Sequence, residues 1–385
     1  MKQTLAVCAV LCALVSWPAD ARERTPRPAQ ISIHVDTSIA DRTLGLVCSG
    51  QPIDERAVRA SPIVQAQIAH NSGLIAAATM DAYVEALRAI SACTPQAHEV
   101  FHVGDIIAHR DAYRAKIEAI SARQSELASS VAERLAPYVP AGVRFQRALI
   151  LAVPYFSCGG FEREEYFFID VECLADDIET DFVALQVLIA HETFHGLQAR
   201  TFFPAPIDAD EITDTDSGLD DLFGTMLREG TATYVAGTSE VLQAPPGGML
   251  TSIAQSFGRT NRARLETNFQ LLSILYGYVA EAPPDQARQR AETVEDMAFD
   301  GGAFEEFGYY VGARMAGDIE SAWGRGALVC VMQLPAEQFI LAHDAAVAAD
   351  SLRLSPQVID TARRRAQSRG GDHSFQSCRT TGAAP

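Results

Sequence analysis

Two histidines and a glutamate lie within five residues of one another in His191-Glu192-Thr193-Phe194-His195. Residues four apart share one face of a helix, so both imidazoles can bind a single metal ion while Glu192 lies beside its open coordination position. Such an ion, typically zinc, acidifies a bound water and polarises a carbonyl group. Glu192 can then act as the general base that passes a proton from the water to a leaving amine. The spacing therefore predicts metal-dependent hydrolysis of peptide bonds.

A second predicted helix offers a third metal ligand. Glu229 lies in a stretch of mostly small or apolar residues. Gly230 and Ala232 would allow this helix to approach the helix of the two histidines closely, because their side chains are minimal. We therefore expect His191, His195 and Glu229 to hold one zinc ion per chain.

Rival ligands lie in the acidic segment before Glu229, and Asp221 is the strongest of them. An aspartate ligand is typical of aspzincins, but residues 218–224 miss the Gly-Thr-x-Asp-x-x-Tyr-Gly pattern of that class in spacing and residue type. Metzincins need Gly and His at fixed positions after the second histidine, where this chain has Gln198 and Thr201. The acidic segment, residues 204–221, is therefore expected to be a solvated loop or rim.

The two histidines must be held by a buried helix. The segment from Phe182 to about Ala199 is hydrophobic on nearly all sides, which is typical of a buried helix, and Thr180 and Asp181 can cap its start. Polar side chains on such a helix need partners, because an unpaired buried charge costs several kcal/mol. A metal ion would supply that partner.

A small sheet is predicted beside this helix. Residues 143–153 and 166–171 are rich in β-branched and aromatic residues and flank Cys158-Gly159-Gly160, a pattern that predicts a β-hairpin. Residues 31–35 alternate as a strand does, and residues 43–48 are a further candidate strand.

Ser61-Pro62 is typical of a helix start. Helices are expected at 62–91 with a break at 71–73, 105–135, 219–242, 262–280, 286–299, 303–323, 336–349 and 355–367.

The first 21 residues resemble a secretory signal. Lys2 precedes an apolar run from Leu5 to Val15, and Ala19-Asp20-Ala21 fits a cleavage site. The apolar run is too short to span a membrane. We expect export to the periplasm or beyond, a mostly helical N-terminal region at 22–142, a catalytic domain at 143–385, and no stable membrane insertion after signal removal.

Cysteine content fits an oxidising compartment. Six cysteines follow the signal, an even number that suggests three disulfides: Cys48, Cys93, Cys158, Cys173, Cys330 and Cys378. Cys158 and Cys173 flank the predicted hairpin and are the preferred local pair, while the other two bridges stay unassigned. The cysteines are too dispersed for a Cys-rich zinc site.

The charge of the chain argues against nucleic acid or an anionic membrane as its main partner. The 385 residues carry 49 acidic and 31 basic side chains, a formal net charge of −18, and 48% of them are hydrophobic. The peptide or protein substrate that we expect follows from the predicted metal centre.

With these residues in place, the chain resembles the gluzincins, and more narrowly a group of zinc-dependent bacterial peptidases whose domains were long catalogued as of unknown function. The resemblance covers roughly residues 145–345 and rests on the two motifs above and on Gly308-Tyr309-Tyr310-Val311-Gly312-Ala313-Arg314. It implies a mainly helical α+β, zincin-like metallopeptidase fold whose small sheet lies beside the histidine helix. It also implies a tyrosine that donates a hydrogen bond to the oxyanion. Tyr309 is the candidate, Tyr310 the alternative, and Arg314 would bind a substrate carboxylate.

The predicted function is an exported zinc metallopeptidase in which Glu192 is the general base. Two alternatives stay open: a non-catalytic exported binding protein on a zincin scaffold, and a zinc amidase that acts on cell-wall crosslinks. His98 and His102 share a helical face and could hold a second metal ion, but we expect no carboxylate or cysteine to join them in such a site and favour surface positions.

Overall fold

The structure, a computed structural model, describes residues 29–95, 100–153, 160–163, 166–201, 211–299, 306–369 and 374–381. Within these residues it is mainly helical with one small four-stranded sheet, as the sequence predicts. The predicted signal peptide, residues 1–21, lies outside the described residues.

Four strands form the sheet: β1 (Gln30–Asp36), β2 (Arg144–Ala152), β3 (Gly160–Arg163) and β4 (Tyr166–Asp170). The first eight α-helices are α1 (Ser38–Leu46), α2 (Glu55–Ala60), α3 (Pro62–Leu74), α4 (Met80–Ala92), α5 (Val103–Ala108), α6 (Arg110–Ala122), α7 (Gln124–Leu135) and α8 (Phe182–Thr201). The others are α9 (Thr215–Ala236), α10 (Thr238–Val241), α11 (Met249–Ala263), α12 (Leu265–Ala280), α13 (Ala287–Ala298), α14 (Phe307–Trp323), α15 (Arg325–Val331), α16 (Ala336–Ala346), α17 (Pro356–Ser368) and α18 (Cys378–Thr381).

The strand order in the sheet is β1-β2-β4-β3. β1 and β4 both run parallel to β2, whereas β3 runs antiparallel to β4. The predicted hairpin between residues 143–153 and 166–171 is therefore wrong. The short strand β3 lies partly in the segment interpreted as a turn, and it reverses the chain once before β4, which brings β4 back parallel to β2.

The predicted strand at residues 43–48 is also wrong, because most of it belongs to α1. Ile39, Ala40, Thr43 and Leu44 are buried there, at intervals of one and three that fit the face of a helix and not the alternation of a strand. The strand predicted at 31–35 is confirmed as the interior of β1.

Helix starts show where local signals succeed. Ser61 caps α3 as predicted, since its Oγ accepts a hydrogen bond from the backbone N–H of Val64, and Pro62 is the first helical residue. Helix α9 begins at Thr215, earlier than predicted, because Asp214 and Ser217 form a reciprocal capping box. Part of the expected acidic loop is therefore the first turn of α9.

Asp181 directly precedes α8, and its carbonyl accepts a hydrogen bond from the backbone N–H of Leu185, but its side chain bonds outside the helix. Its carboxylate accepts hydrogen bonds from the backbone N–H groups of Ala175 at 3.0 Å and Thr251 at 2.9 Å. The residue thus ties the start of α8 to α11.

Two disulfides join elements that are distant in sequence. Cys48–Cys93 links the ends of α1 and α4, and Cys330–Cys378 links α15 to α18. Cys173 is also disulfide-bonded, and its predicted partner Cys158 lies outside the described residues. Across the described ranges, no helix has the length and apolar character needed to cross a membrane.

Helix α8 lies at the centre of the molecule, where it packs against the sheet, α7 and α9. The N-terminal region contributes β1 to the same sheet as β2. The domain division at residues 22–142 and 143–385 stays a prediction.

Candidate metal centre

The side chains of α8 confirm a buried helix. Leu185, Ile189, Phe194 and Leu197 have no exposed surface. The helix thus holds its polar residues rigidly, since close packing leaves few alternative side-chain positions.

The predicted metal ligands come together at one point. His191 Nε2 lies 3.0 Å from His195 Nε2, and Glu229 Oε2 lies 3.2 Å and 3.1 Å from these two atoms. The three side chains are 11%, 17% and 18% exposed, respectively. Helix α8 supplies both histidines, and α9 supplies the glutamate.

The donor set fits a zinc ion. A tetrahedral ion with bonds of about 2.0–2.1 Å places its ligand atoms about 3.3 Å apart, so these atoms need move only a few tenths of an ångström. Three atoms with lone pairs that face one another repel unless a proton or a cation lies among them. His191, His195 and Glu229 therefore form a site suited to a cation.

Gln198 determines which nitrogen of His195 faces this point. The Gln198 amide nitrogen donates to the carbonyl oxygen of Arg228 at 3.0 Å and to Thr231 Oγ1 at 2.9 Å. Its Oε1 must therefore face His195 Nδ1, 2.9 Å away, and accept a hydrogen bond from it. The His195 Nε2 is left to bind a metal ion.

In the sequence, Gln198 is informative only because it excludes the metzincins. A signal for its role was present, because it follows His195 by three positions on a buried helix, and such a polar residue needs a partner. Which partner it meets depends on α9, and the sequence does not show that contact.

Electrostatics couple the three ligands. Burial favours protonation of Glu229, but the nearby His195 and His191 side chains hold the pKa of this carboxyl well below its usual range. Burial opposes the charged form of His195, yet the Glu229 carboxylate raises the pKa of this imidazole to about 10. The Glu229 carboxylate and the His195 imidazole thus share one proton, which a metal ion would have to displace.

Glu192 faces a cavity of about 330 Å³ that His191 and Tyr309 also line. Burial raises the pKa of its carboxyl, against the opposing effect of the two histidines. The Glu192 carboxylate makes no hydrogen bond to any residue that the structure describes. It is thus available to a molecule in the cavity.

The two candidate tyrosines lie on the opposite wall. The Tyr309 ring is near-parallel to the His191 ring, with 5.7 Å between their centroids. Tyr310 lines the same cavity. The structure brings both tyrosines to the site, and Tyr309 contacts a ligand histidine.

A glycine pair brings these tyrosines close to Glu229. A Cβ added to Gly230 would lie 2.4 Å from the Cα of Gly312 on α14, so the backbones of α9 and α14 touch. We expected Gly230 to face α8, but it faces α14, and Thr231 faces α8 through Gln198. Neighbouring residues on a helix point about 100° apart, so Gly230 and Thr231 face different neighbouring helices.

Asp221 is not part of the ligand cluster. It lies two turns before Glu229 on α9 and is buried, which raises the pKa of its carboxyl against the opposing charge of Arg228. Between the rivals, the geometry favours Glu229.

A second group of potential ligands surrounds His102. Its Nδ1 lies 2.7 Å from Glu172 Oε2, and Asp105 is close enough to complete a cluster. Glu172 lies 70 positions from His102, so no local pattern predicts this contact, whereas Asp105 follows His102 by only three positions and was overlooked. His98 lies outside the described residues.

The comparisons with known proteins agree with a zinc-binding centre. The family model described as "Putative zinc dependent peptidase (DUF5700)" matches residues 65–351. The chain belongs to this family. No curated protein and no solved structure matches the chain.

Proposed function

We propose that the protein is an exported, zinc-dependent peptidase of the gluzincin type, built on a zincin-like fold. The observation that carries this proposal is the convergence of His191, His195 and Glu229 beside the unpaired carboxylate of Glu192. Family membership supports the same class of reaction.

The residues divide the work of hydrolysis. His191, His195 and Glu229 would hold one zinc ion, which when bound supplies a Lewis acid that activates water and polarises a carbonyl group. Glu192 takes a proton from the attacking water and delivers it to the leaving amine. Tyr309 donates a hydrogen bond to the oxygen that gains negative charge, with Tyr310 as the alternative donor.

Strand β3 is positioned to align a peptide. It is an edge strand of the sheet, so one row of its backbone groups has no neighbouring strand among the described residues. Its first residue, Gly160, lines the same cavity as Glu192. An extended substrate can add to this edge as a further strand, with its scissile bond near the ligands.

Export agrees with the disulfides. Bridges between distant cysteines persist in oxidising compartments and are rare in the cytosol. Cys48–Cys93 and Cys330–Cys378 therefore support the predicted signal peptide at residues 1–21.

The test combines metal analysis with one isosteric substitution. The purified chain should contain about one zinc ion, and Glu192→Gln should retain the metal while cleavage of peptides is abolished. Glu118→Gln, an exposed change on α6, is the matched control and should keep both. Full activity of Glu192→Gln would overturn the mechanism. Cleavage of peptidoglycan fragments without cleavage of peptides would favour the amidase instead.

A further inference from the structure

A second cavity adjoins the one at the metal centre. It has a volume of about 410 Å³, and Thr233, Thr238 and Tyr310 line both cavities. The two spaces lie between α9, α11 and α14, so a ligand that enters at the zinc site meets the second cavity next.

The wall of the first cavity away from the predicted metal ligands is formed mainly by apolar residues, although Glu306, Thr233 and Thr238 also line the cavity. Leu188 from α8, Val241 from α10 and Phe257 from α11 line it. Ile253 adds an isoleucine that is 42% exposed on the wall of the cavity. Burial of an apolar side chain against such a wall is therefore favourable.

The second cavity is cationic. Arg262 and Arg314 line it, and among the described residues no Asp or Glu does. Arg314 Nε is 2.9 Å from Asp318 Oδ1 on its own helix, whereas Arg262 forms no ion pair within the described part of the chain. Two guanidinium groups in a protein of net charge −18 mark a place for an anionic group.

A buried hydroxyl at the junction has no partner. Thr233 is 5% exposed, and its Oγ1 makes no hydrogen bond to the described residues. Thr233 follows Glu229 by one helical turn on the same face of α9. The Thr233 side chain thus helps to form the junction of the two cavities.

The spacing along α14 sets the length of the ligand. Arg314 follows Tyr310, which lines both cavities, by four residues, so the two side chains share one face of α14 about 6 Å apart along the helix axis. An extended peptide advances about 3.4 Å per residue, so this distance corresponds to about two residues.

We propose that the two cavities are consecutive substrate subsites, which select a peptide with a large apolar side chain beside the scissile bond and a carboxylate about two residues further along. The carboxylate is either the C-terminus of the peptide or an acidic side chain. This inference rests on the proposed peptidase function, since the first cavity contains the catalytic residues.

The experiment compares three peptides that are identical except at the position two residues from the scissile bond. One ends there in a free carboxylate, one ends in a carboxamide, and one is a carboxamide that carries a glutamate side chain. We expect the free acid or the glutamate peptide to exceed the neutral peptide by about tenfold or more in kcat/KM. The better of the two identifies the source of the carboxylate, and equal values for all three peptides would overturn the proposal.

Substitutions assign the preference to the second cavity. Arg262→Gln and Arg314→Gln should each reduce the ratio of kcat/KM between the charged and neutral peptides severalfold. Arg259→Gln removes the same charge from α11 outside both cavities, and should leave this ratio unchanged. A ratio that survives both cavity substitutions would also overturn the proposal.

A filling substitution tests the first cavity. Ala254→Phe occupies its wall and should shift cleavage toward peptides with Gly or Ala beside the scissile bond. Ser252→Phe, an exposed change on the same helix, should not. An unchanged preference in Ala254→Phe would contradict the apolar subsite.

Binding separates this inference from the proposed function. The Glu192→Gln protein should bind the charged peptide about tenfold more tightly than the neutral one. If the wild type cleaves none of the three peptides, the proposed peptidase function fails, but the ratio of Kd values still decides whether the subsites exist.

Discussion

From the close contact between Gly230 and Gly312 we predict how Gly230→Ala changes stability and activity. The added Cβ would lie 2.4 Å from the Cα of Gly312 and 2.5 Å from its carbonyl carbon. Ordinary carbon contacts begin near 3.4 Å. Because both opposing atoms are backbone, no side chain can rotate away, and α9 must move from α14 by about 1 Å.

This displacement should affect activity more than stability. Overpacking of this kind costs about 1–3 kcal/mol, and the helix propensity of Ala returns up to about 1 kcal/mol. The free energy of unfolding should therefore fall by about 0–3 kcal/mol. Glu229 and Tyr309 lie on the two helices that separate, and an error of 1 Å in an active site lowers turnover about 100-fold.

The matched control is Gly224→Ala on the same helix. Its Cβ would approach only Nη1 of Arg228, at 2.9 Å, and that flexible side chain can move. We expect Gly224→Ala to be as stable as the wild type or up to about 1 kcal/mol more stable, with full activity. Stability is measured by denaturant unfolding at saturating zinc, and activity is measured as kcat/KM on one peptide. If Gly230→Ala matches Gly224→Ala in both, the glycine contact does not position the site.

Three further predictions follow from contacts around the ligands and at a helix start. Gln198→Leu should weaken zinc binding by about 10- to 100-fold in competition with a chelating dye, and an unchanged affinity would contradict the orienting role of Gln198. The affinity of the wild type for zinc should rise by up to about tenfold per pH unit between pH 7 and pH 9. The reason is that His195, whose pKa is about 10 despite its burial, must lose a proton to bind the ion. Titration calorimetry in which the zinc affinity does not change with pH would exclude this proton. Ser61→Ala should lower the free energy of unfolding by about 1 kcal/mol, since Ser61 Oγ caps α3, and denaturant curves that superimpose on the wild type would exclude the cap.

Local patterns in the sequence predicted the parts of the site that lie on one helix. His191, Glu192 and His195 follow from helical spacing alone, and the burial of α8 follows from its apolar residues. Glu229 required a resemblance and the elimination of Asp221, because no local signal shows which of the four acidic residues on α9 faces α8.

Features that depend on how elements pack were missed. The partner of Gly230 depends on the rotation of α9, and the sequence left α8 and α14 equally available. The predicted hairpin failed for a similar reason, since β2 does pair with β4 but in the parallel direction, because β3 lies between the two in the chain. A four-residue strand such as β3 carries too few alternating positions to be recognised.

The parallel pairing of β1 with β2 has a consequence for how the chain reaches its native state. Gln30 lies opposite Arg144, and the described helices α1 to α7 lie between the two strands in sequence. The chain loses conformational entropy when such distant segments come together, and this loss precedes the stabilising contacts. Folds dominated by such pairings therefore form slowly. A chain that leaves a membrane translocon N-terminus first would present β1 well before its partner strand emerges. The sheet beside α8 can therefore be completed only after β2 emerges, and until then β1 has no partner strand and is open to association with other chains.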